Sequence, residues 1–266
     1  MSNQPQTMNP DQMIEYRSLA NLDLYDSQDC DSLATQAATG RQLRIVSLPD
    51  GASAVSDPKQ LLSDLMASNA RSDAGANARA VEVCLCEDDY SGWIVLNDLT
   101  QLEPAPSLYQ PVCLTQAEIE ARLPAAIAFA QAAMQVPNYY LWGGTVGPNY
   151  DCSGLMQAAF QSAGIWLPRD SYQQADFLEP IAIADLQPGD LIFFAKVDRV
   201  THVALYLGNE QYIHSSGKDM GRNGIGIDRL SPQGDAVSQA FYRQFKSAGR
   251  AIASYQPKRW HGSTGG

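Results

Sequence analysis

An α+β fold is predicted by three features of this 266-residue chain. Short alternating strands fill its first part. Two helices follow a proline-rich break, and a run of apolar strands joined by tight turns comes after them. Helices that precede an antiparallel meander, rather than alternating with strands, place the second half in the α+β class.

In the first part, Arg41-Gln42-Leu43-Arg44-Ile45-Val46 alternates polar and apolar residues and predicts a strand. Ala80 to Cys86 predicts another, and Gly92-Trp93-Ile94-Val95-Leu96 follows a turn over Asp88 to Ser91. Between them, Pro58 and the helical spacing of Leu61, Leu62, Leu65 and Met66 predict one short helix over Asp57 to Asn69. Several short strands with one insertion suit a small β-barrel.

Glu103-Pro104-Ala105-Pro106-Ser107 is the break. Thr115-Gln116-Ala117-Glu118 then has the pattern of a capping box and opens a helix that ends before Pro137. A second helix is predicted over Ser153 to Ala163, with Gly164 as its stop. Gln187-Pro188-Gly189-Asp190 turns into the strand Leu191-Ile192-Phe193-Phe194. The strands His202 to Gly208 and Gln211 to His214 are separated by Asn209-Glu210, a tight hairpin, and Ile225-Gly226-Ile227 is a weaker fourth strand. The domain boundaries expected are a polar tail over 1–17, a small β-barrel over 18–104, a linker over 105–114, a second domain over 115–250 and a C-terminal tail over 251–266.

The net charge of -11 argues against a nucleic-acid or anionic-membrane partner. No stretch of apolar residues is long enough to span a bilayer. Met1 to Met13 has neither a basic start nor an apolar core, so no secretory leader is read and a cytoplasmic location is expected. The five cysteines, Cys30, Cys84, Cys86, Cys113 and Cys152, are an odd number at irregular spacing and make no disulfide framework. Cys84 and Cys86 share one side of a strand and lack the further ligands a zinc site needs. No metal or other cofactor is expected.

Cys152 falls in the first turn of its helix, with Asn149 or Asp151 as cap. Unpaired N–H groups and the helix dipole favour a thiolate there, and the same N–H groups can hold an oxyanion. Only three histidines exist in the chain. His202 and His214 lie on neighbouring strands of the predicted hairpin, where residues on one face meet side by side. A thiol, a base and a group that orients the base make a nucleophilic site. His261 sits in the polar end of the chain and is expected to be solvated.

Five segments carry a resemblance: Tyr140-Leu141-Trp142-Gly143-Gly144, Asp151-Cys152-Ser153-Gly154-Leu155, Leu186-Gln187-Pro188-Gly189-Asp190-Leu191, His202-Val203-Ala204-Leu205-Tyr206 and Ile213-His214. In this order they resemble the signature of the NlpC/P60 cysteine peptidases over about residues 115 to 245. The first part is similar to a bacterial SH3-like (SH3b) domain. The resemblance implies a papain-like core behind a small SH3-like barrel. It further implies cleavage of the γ-D-glutamyl-diamino acid bond, to meso-diaminopimelate or lysine, in murein-derived peptides with a free N-terminal L-alanine; the expected cytoplasmic location adds recycling of released wall peptides. It assigns Cys152 as nucleophile, His202 as general base and His214 as the orienting group. For substrate it implies Asp151 at the α-ammonium, with Tyr140, Ser153, Ser171 and, from the first domain, Tyr90 around it. From the residues alone, Asp151 and Ser171 also read as helix caps and Tyr90 as an exposed turn residue. A thiol acyltransferase or amidase on the same scaffold, or a wall-binding protein without activity, are the alternatives.

Overall fold

The structure is a computed structural model and describes residues 14–47, 57–69 and 79–258. His261 lies outside the described residues. The chain divides into two compact units, residues 1–110 with 257–266, and residues 111–256. Among the described residues, no helix is long and apolar enough to cross a membrane.

The first unit holds strands β1 (Glu15–Ser18), β2 (Leu22–Tyr25), β3 (Leu33–Ala37), β4 (Gln42–Ser47), β5 (Ala80–Leu85), β6 (Ser91–Val95) and β7 (Leu102–Pro104), with helix α1 (Pro58–Asn69) between β4 and β5. They form one antiparallel sheet in the order β3-β2-β6-β5-β4-β1-β7. Alternate residues Leu43 and Ile45, and Val81, Val83 and Leu85, face a common core that Leu61 and Leu65 of α1 join. β1 begins inside the stretch read as a polar tail. Tyr16 is buried there, and Glu15 pairs with Arg44 of β4, which anchors a segment that looks polar from its neighbours. Cys84 and Cys86 are buried.

The second unit opens with α2 (Gln116–Gln135), where Thr115 and Glu118 make the expected capping box. It continues with α3 (Cys152–Ser162), α4 (Ser171–Phe177), β8 (Glu179–Ile181), β9 (Leu191–Lys196), β10 (Arg199–Gly208), β11 (Gln211–Ser216), β12 (Gly224–Arg229), α5 (Ala236–Tyr242) and β13 (Phe245–Arg250). The sheet order is β12-β11-β10-β9-β13-β8, all antiparallel where paired. The meander β9 to β12 is therefore as expected, and the α+β class holds. Asn209 and Glu210 both take positive φ, 51° and 62°, which is the backbone a tight hairpin between right-twisted strands requires.

Two cores cover the two faces of this sheet. Leu191, Phe193, Val203, Leu205 and Ile213 face α2 and α3. Ile192, Phe194, Ala204 and Tyr212 face Phe241 of α5. Burial on both faces explains why β9 reads as an unbroken apolar run. The C-terminal stretch after β13 is also packed. Ala251 and Ser254 are buried, and the N–H of Tyr255 donates to the carbonyl of Trp166. That return of the chain is invisible in a polar-looking segment.

Candidate active site

Cys152 is the first residue of α3, and Asp151 is its cap, accepting from the N–H of Gly154 at 2.6 Å. The loop before it is built on two glycines. Gly143 takes φ +79° and donates its N–H to Asp151 Oδ2 at 2.9 Å. A Cβ on Gly144 would stand 2.6 Å from the carbonyl oxygen of Asn149. Both positions therefore exclude larger residues, which gives the Gly-Gly pair its physical reason.

Asp151 has further partners. Arg169 donates Nη1 to Oδ1 at 3.2 Å and Nη2 to Oδ2 at 2.6 Å, and Ser153 Oγ lies 3.3 Å from Oδ1. A carboxylate offers about four lone-pair sites, and these donors fill them. Asp151 is thus the cap and the anchor of the loop. Ser153 is buried and accepts from Arg169 Nη1 at 2.9 Å, so it too serves this cluster. Ser171 is the first residue of α4, and Asp170, not Ser171, makes the capping box there with Gln173. Gln174 of α4 donates to the carbonyl of Ser153 at 3.1 Å, which ties α4 to the start of α3.

The β10–β11 ladder runs only from Gly208/Gln211 to Leu205/Ile213. Beyond Leu205 the backbone at Val203 and at Ser153 favours the charged form of the Cys152 sulfur. The helix start thus meets β10 next to His202. On the adjoining strand, Ser215 Oγ donates to the carbonyl of Tyr150 at 2.6 Å. Cys152 is 6% exposed. Burial, then the charge on Asp151, push its thiol up to about 12, against the backbone at those two residues and Arg169. A helix N-terminus was expected to favour the thiolate; here desolvation by the surrounding core works against it.

His202 and His214 are brought together, with Nε2 of His202 2.7 Å from Nδ1 of His214. Phe241 packs on both rings, at 4.6 and 4.8 Å between centroids, and Phe194 lies 5.7 Å from His202. Burial, then the neighbouring His214 and Lys196, hold His202 well below its ordinary range. Burial also lowers His214, against the pull of Asp228. Behind the pair stands a residue the sequence reasoning missed. His214 Nε2 is 2.7 Å from Oδ2 of Asp228, which is 3% exposed. Arg222 clasps the same carboxylate, with Nε on Oδ2 at 2.8 Å and Nη2 on Oδ1. Asp228 alternates with Ile225 and Ile227 on β12, and a lone acidic residue on an inward strand position was the available signal.

Tyr140 pairs with Tyr150 in an isolated bridge. Burial first, then the charges of Cys152 and Asp151, push its hydroxyl up, so it stays a neutral donor. Beside it lies a cavity of about 690 Å³ lined by Tyr139, Tyr140, Gly217, Lys218, Asp219 and Asn223. Tyr90 belongs to the first unit, where it packs against that unit's core and its N–H donates to Asp88 at 3.2 Å. Among the described residues no group of side chains is arranged to hold a metal ion.

Residues 137–244, the segment that carries this site, match the model of the NlpC/P60 family. Over 110 residues the chain is 40% identical to a protein of Mycobacterium tuberculosis named a probable endopeptidase, covering 41% of this chain and 28% of that protein. Over 79 residues it is 40% identical to the gamma-D-glutamyl-L-lysine dipeptidyl-peptidase of Bacillus subtilis, covering 29% of this chain and 27% of that protein. A crystal structure of an NlpC/P60 family protein from Bacillus cereus is similar over 91% of this chain and 65% of that one, at 22% identity and a TM-score of 0.43. The chain thus spans less than a third of the length of these curated relatives.

Proposed function

We propose that this protein is a cysteine peptidase of murein peptides, cutting the bond between the γ-carboxyl of D-glutamate and the amine of a diamino acid. The observation that carries the reading is that Cys152, at a capped helix start, shares a core cluster with Val203, the strand neighbour of His202 in the His202–His214 pair. The family match over residues 137–244 and the names of the relatives support the same class of reaction.

In this reading His202 takes the thiol proton as Sγ attacks the γ-carbonyl. The carbonyl oxygen becomes an oxyanion, for which the helix-start N–H groups and the neutral Tyr140 hydroxyl are the donors at hand. Collapse breaks the C–N bond, and His202 returns its proton to the leaving amine. Water, deprotonated by the same ring, then cleaves the thioester and regenerates the thiol. His214 holds His202 in place. No cofactor enters these steps.

The substrate carries an amine and several carboxylates. Lys218 and Asp219 offer one charge of each sign in the cavity beside Tyr140. We assign to them the charged ends of the peptide, because Asp151 is already occupied by Arg169. A free N-terminal L-alanine remains part of the reading, on the sequence resemblance. Turnover of L-Ala-γ-D-Glu-meso-diaminopimelate, followed by product analysis, is the test. Cleavage by the wild type and none by Cys152→Ala is expected, and equal cleavage by both would remove the nucleophile. N-acetylation of the alanine is expected to abolish turnover.

A further inference from the structure

We propose that Asp228, clamped by Arg222, is a positioning residue that sets the tautomers of both histidines and so turns the basic nitrogen of His202 into Nδ1. This inference rests on the peptidase reading and deepens it.

Asp228 receives two donors from Arg222, through Nε and Nη2, and its Oδ2 lies 2.7 Å from His214 Nε2. Burial alone would raise this carboxyl, but the hydrogen bonds from His214 and Arg222 outweigh it and hold it well below the ordinary carboxylate range. An ionised carboxylate has no proton to give. The hydrogen between Asp228 and His214 must therefore sit on Nε2 of His214. His214 is buried and neutral, so its other nitrogen, Nδ1, carries no proton and can only accept. Nδ1 of His214 faces Nε2 of His202 at 2.7 Å. That contact needs a hydrogen, and it must come from Nε2 of His202. In a neutral His202 ring, Nδ1 is then left with a free lone pair.

Transfer of the Cys152 proton to Nδ1 gives a thiolate and an imidazolium, and the imidazolium keeps its Nε2–H on His214. The positive charge is met by Asp228 two contacts away, and no proton has to leave His214. Arg222 has its own reason to be there: it keeps Asp228 ionised even though the residue is buried. A protonated or amide side chain at 228 could donate to His214 Nε2, which would reverse both tautomers and put a proton on the nitrogen that should accept one. Asp228 touches neither substrate nor sulfur in this scheme, so it acts only through His214. Ser238 Oγ, 3.5 Å from Oδ1, and Arg222 are the remaining polar groups at the carboxylate.

The experiment combines nitrogen-15 NMR of labelled histidine with kinetics on the L-Ala-γ-D-Glu-diaminopimelate peptide, using full-length protein carrying His261→Gln to leave two rings. In the otherwise unchanged enzyme at pH 7.5, both rings are expected as neutral Nε2–H tautomers. Asp228→Asn is expected to shift both rings toward Nδ1–H and to lower kcat by about 10³- to 10⁴-fold with KM within threefold, the upper figure being that of a triad whose orienting carboxylate becomes an amide. Arg222→Lys keeps the charge and is expected to retain the tautomers with roughly a tenfold loss of kcat. An Nδ1–H His202 in the parent enzyme overturns the proposal, and does so even if Asp228→Asn fails to fold. Unchanged tautomers in Asp228→Asn, whatever the activity, or shifted tautomers with full activity, also overturn it. Failure of the peptidase reading shows itself separately, as a parent enzyme no more active than Cys152→Ala, while the spectra still decide the tautomers.

Discussion

Arg169 holds Asp151 through both terminal guanidinium nitrogens, and the two side chains are 1% and 8% exposed. The pair joins the segment before α4 to the cap of α3, so the helix that presents the cysteine is fixed from outside as well as by its own cap. Removal of one member of a buried pair leaves the other charged and unpaired, which costs about 3–5 kcal/mol. Arg169→Met is expected to lose stability of that order in urea unfolding. Asp151→Ala loses the cap as well and should fall at least as far. The double variant should recover part of the loss, since neither charge is then stranded.

Gly154 sits in the first turn of α3 against the preceding loop. A Cβ there would meet the carbonyl oxygen of Gly144 at 2.0 Å and Asp151 Oδ1 at 3.0 Å. The first neighbour is backbone and cannot rotate away. Gly154→Ala would raise helix propensity in isolation, yet here it must push α3 from the loop. A stability loss of about 1–3 kcal/mol is expected from the overpacking. The displaced sulfur should lower kcat by about 10²-fold. A stabilised, fully active variant would show that the close approach does not position the cysteine.

The placement of Cys152 and the two histidines was legible because its causes are local. Asp151 and Gly154 mark a helix start, and the turn Asn209-Glu210 sets the hairpin that brings His202 to His214. Asp228 and Arg222 were not legible, because their part depends on β12 joining the far edge of the sheet and on the chain between β11 and β12 folding back. Arg169 lay in a segment singled out for its serine, but its partnership with Asp151 depends on how α3 and α4 meet. The environment of the thiol was only partly legible for a similar reason. The helix start is a local feature that favours the thiolate, whereas the desolvation that opposes it comes from the packed core around Val203 and Leu205. Helix α5, which supplies Phe241 to both rings, has too short an apolar pattern to stand out.

Acid should weaken the fold and the activity together. Burial lowers both His202 and His214 below the ordinary value of 6.5, with Asp228 pulling in the opposite direction on each. Below that pH the unfolded chain takes up protons that the native state refuses, so stability is present above about pH 6.5 and is lost as pH falls. The urea midpoint is expected to drop between pH 7 and pH 5, and His214→Gln should flatten that slope. The acid limb of kcat/KM should lie below pH 6.5, because the free enzyme's base is already unprotonated at neutral pH. An acid limb above pH 7 would mean that the titrating base is not the buried His202.

A cavity opens beside Tyr140. Lys218 and Asp219 are neighbours in sequence, and both line it. Among the described residues neither forms an ion pair, although Asp219 is close enough for its charge to act on Tyr140. Their charges are therefore available to a zwitterionic peptide. A charged hydrogen bond at a partly exposed site contributes about 1 kcal/mol, or roughly a fivefold change in KM. Asp219→Asn should raise KM for diaminopimelate and lysine peptides alike, with kcat within twofold, if it holds an ammonium common to both. Lys218→Gln should raise KM only for the diaminopimelate peptide, whose extra carboxylate the lysine peptide lacks. Steady-state kinetics on the two peptides separates these effects. An equal effect of Lys218→Gln on both would move that residue to a carboxylate shared by the two substrates.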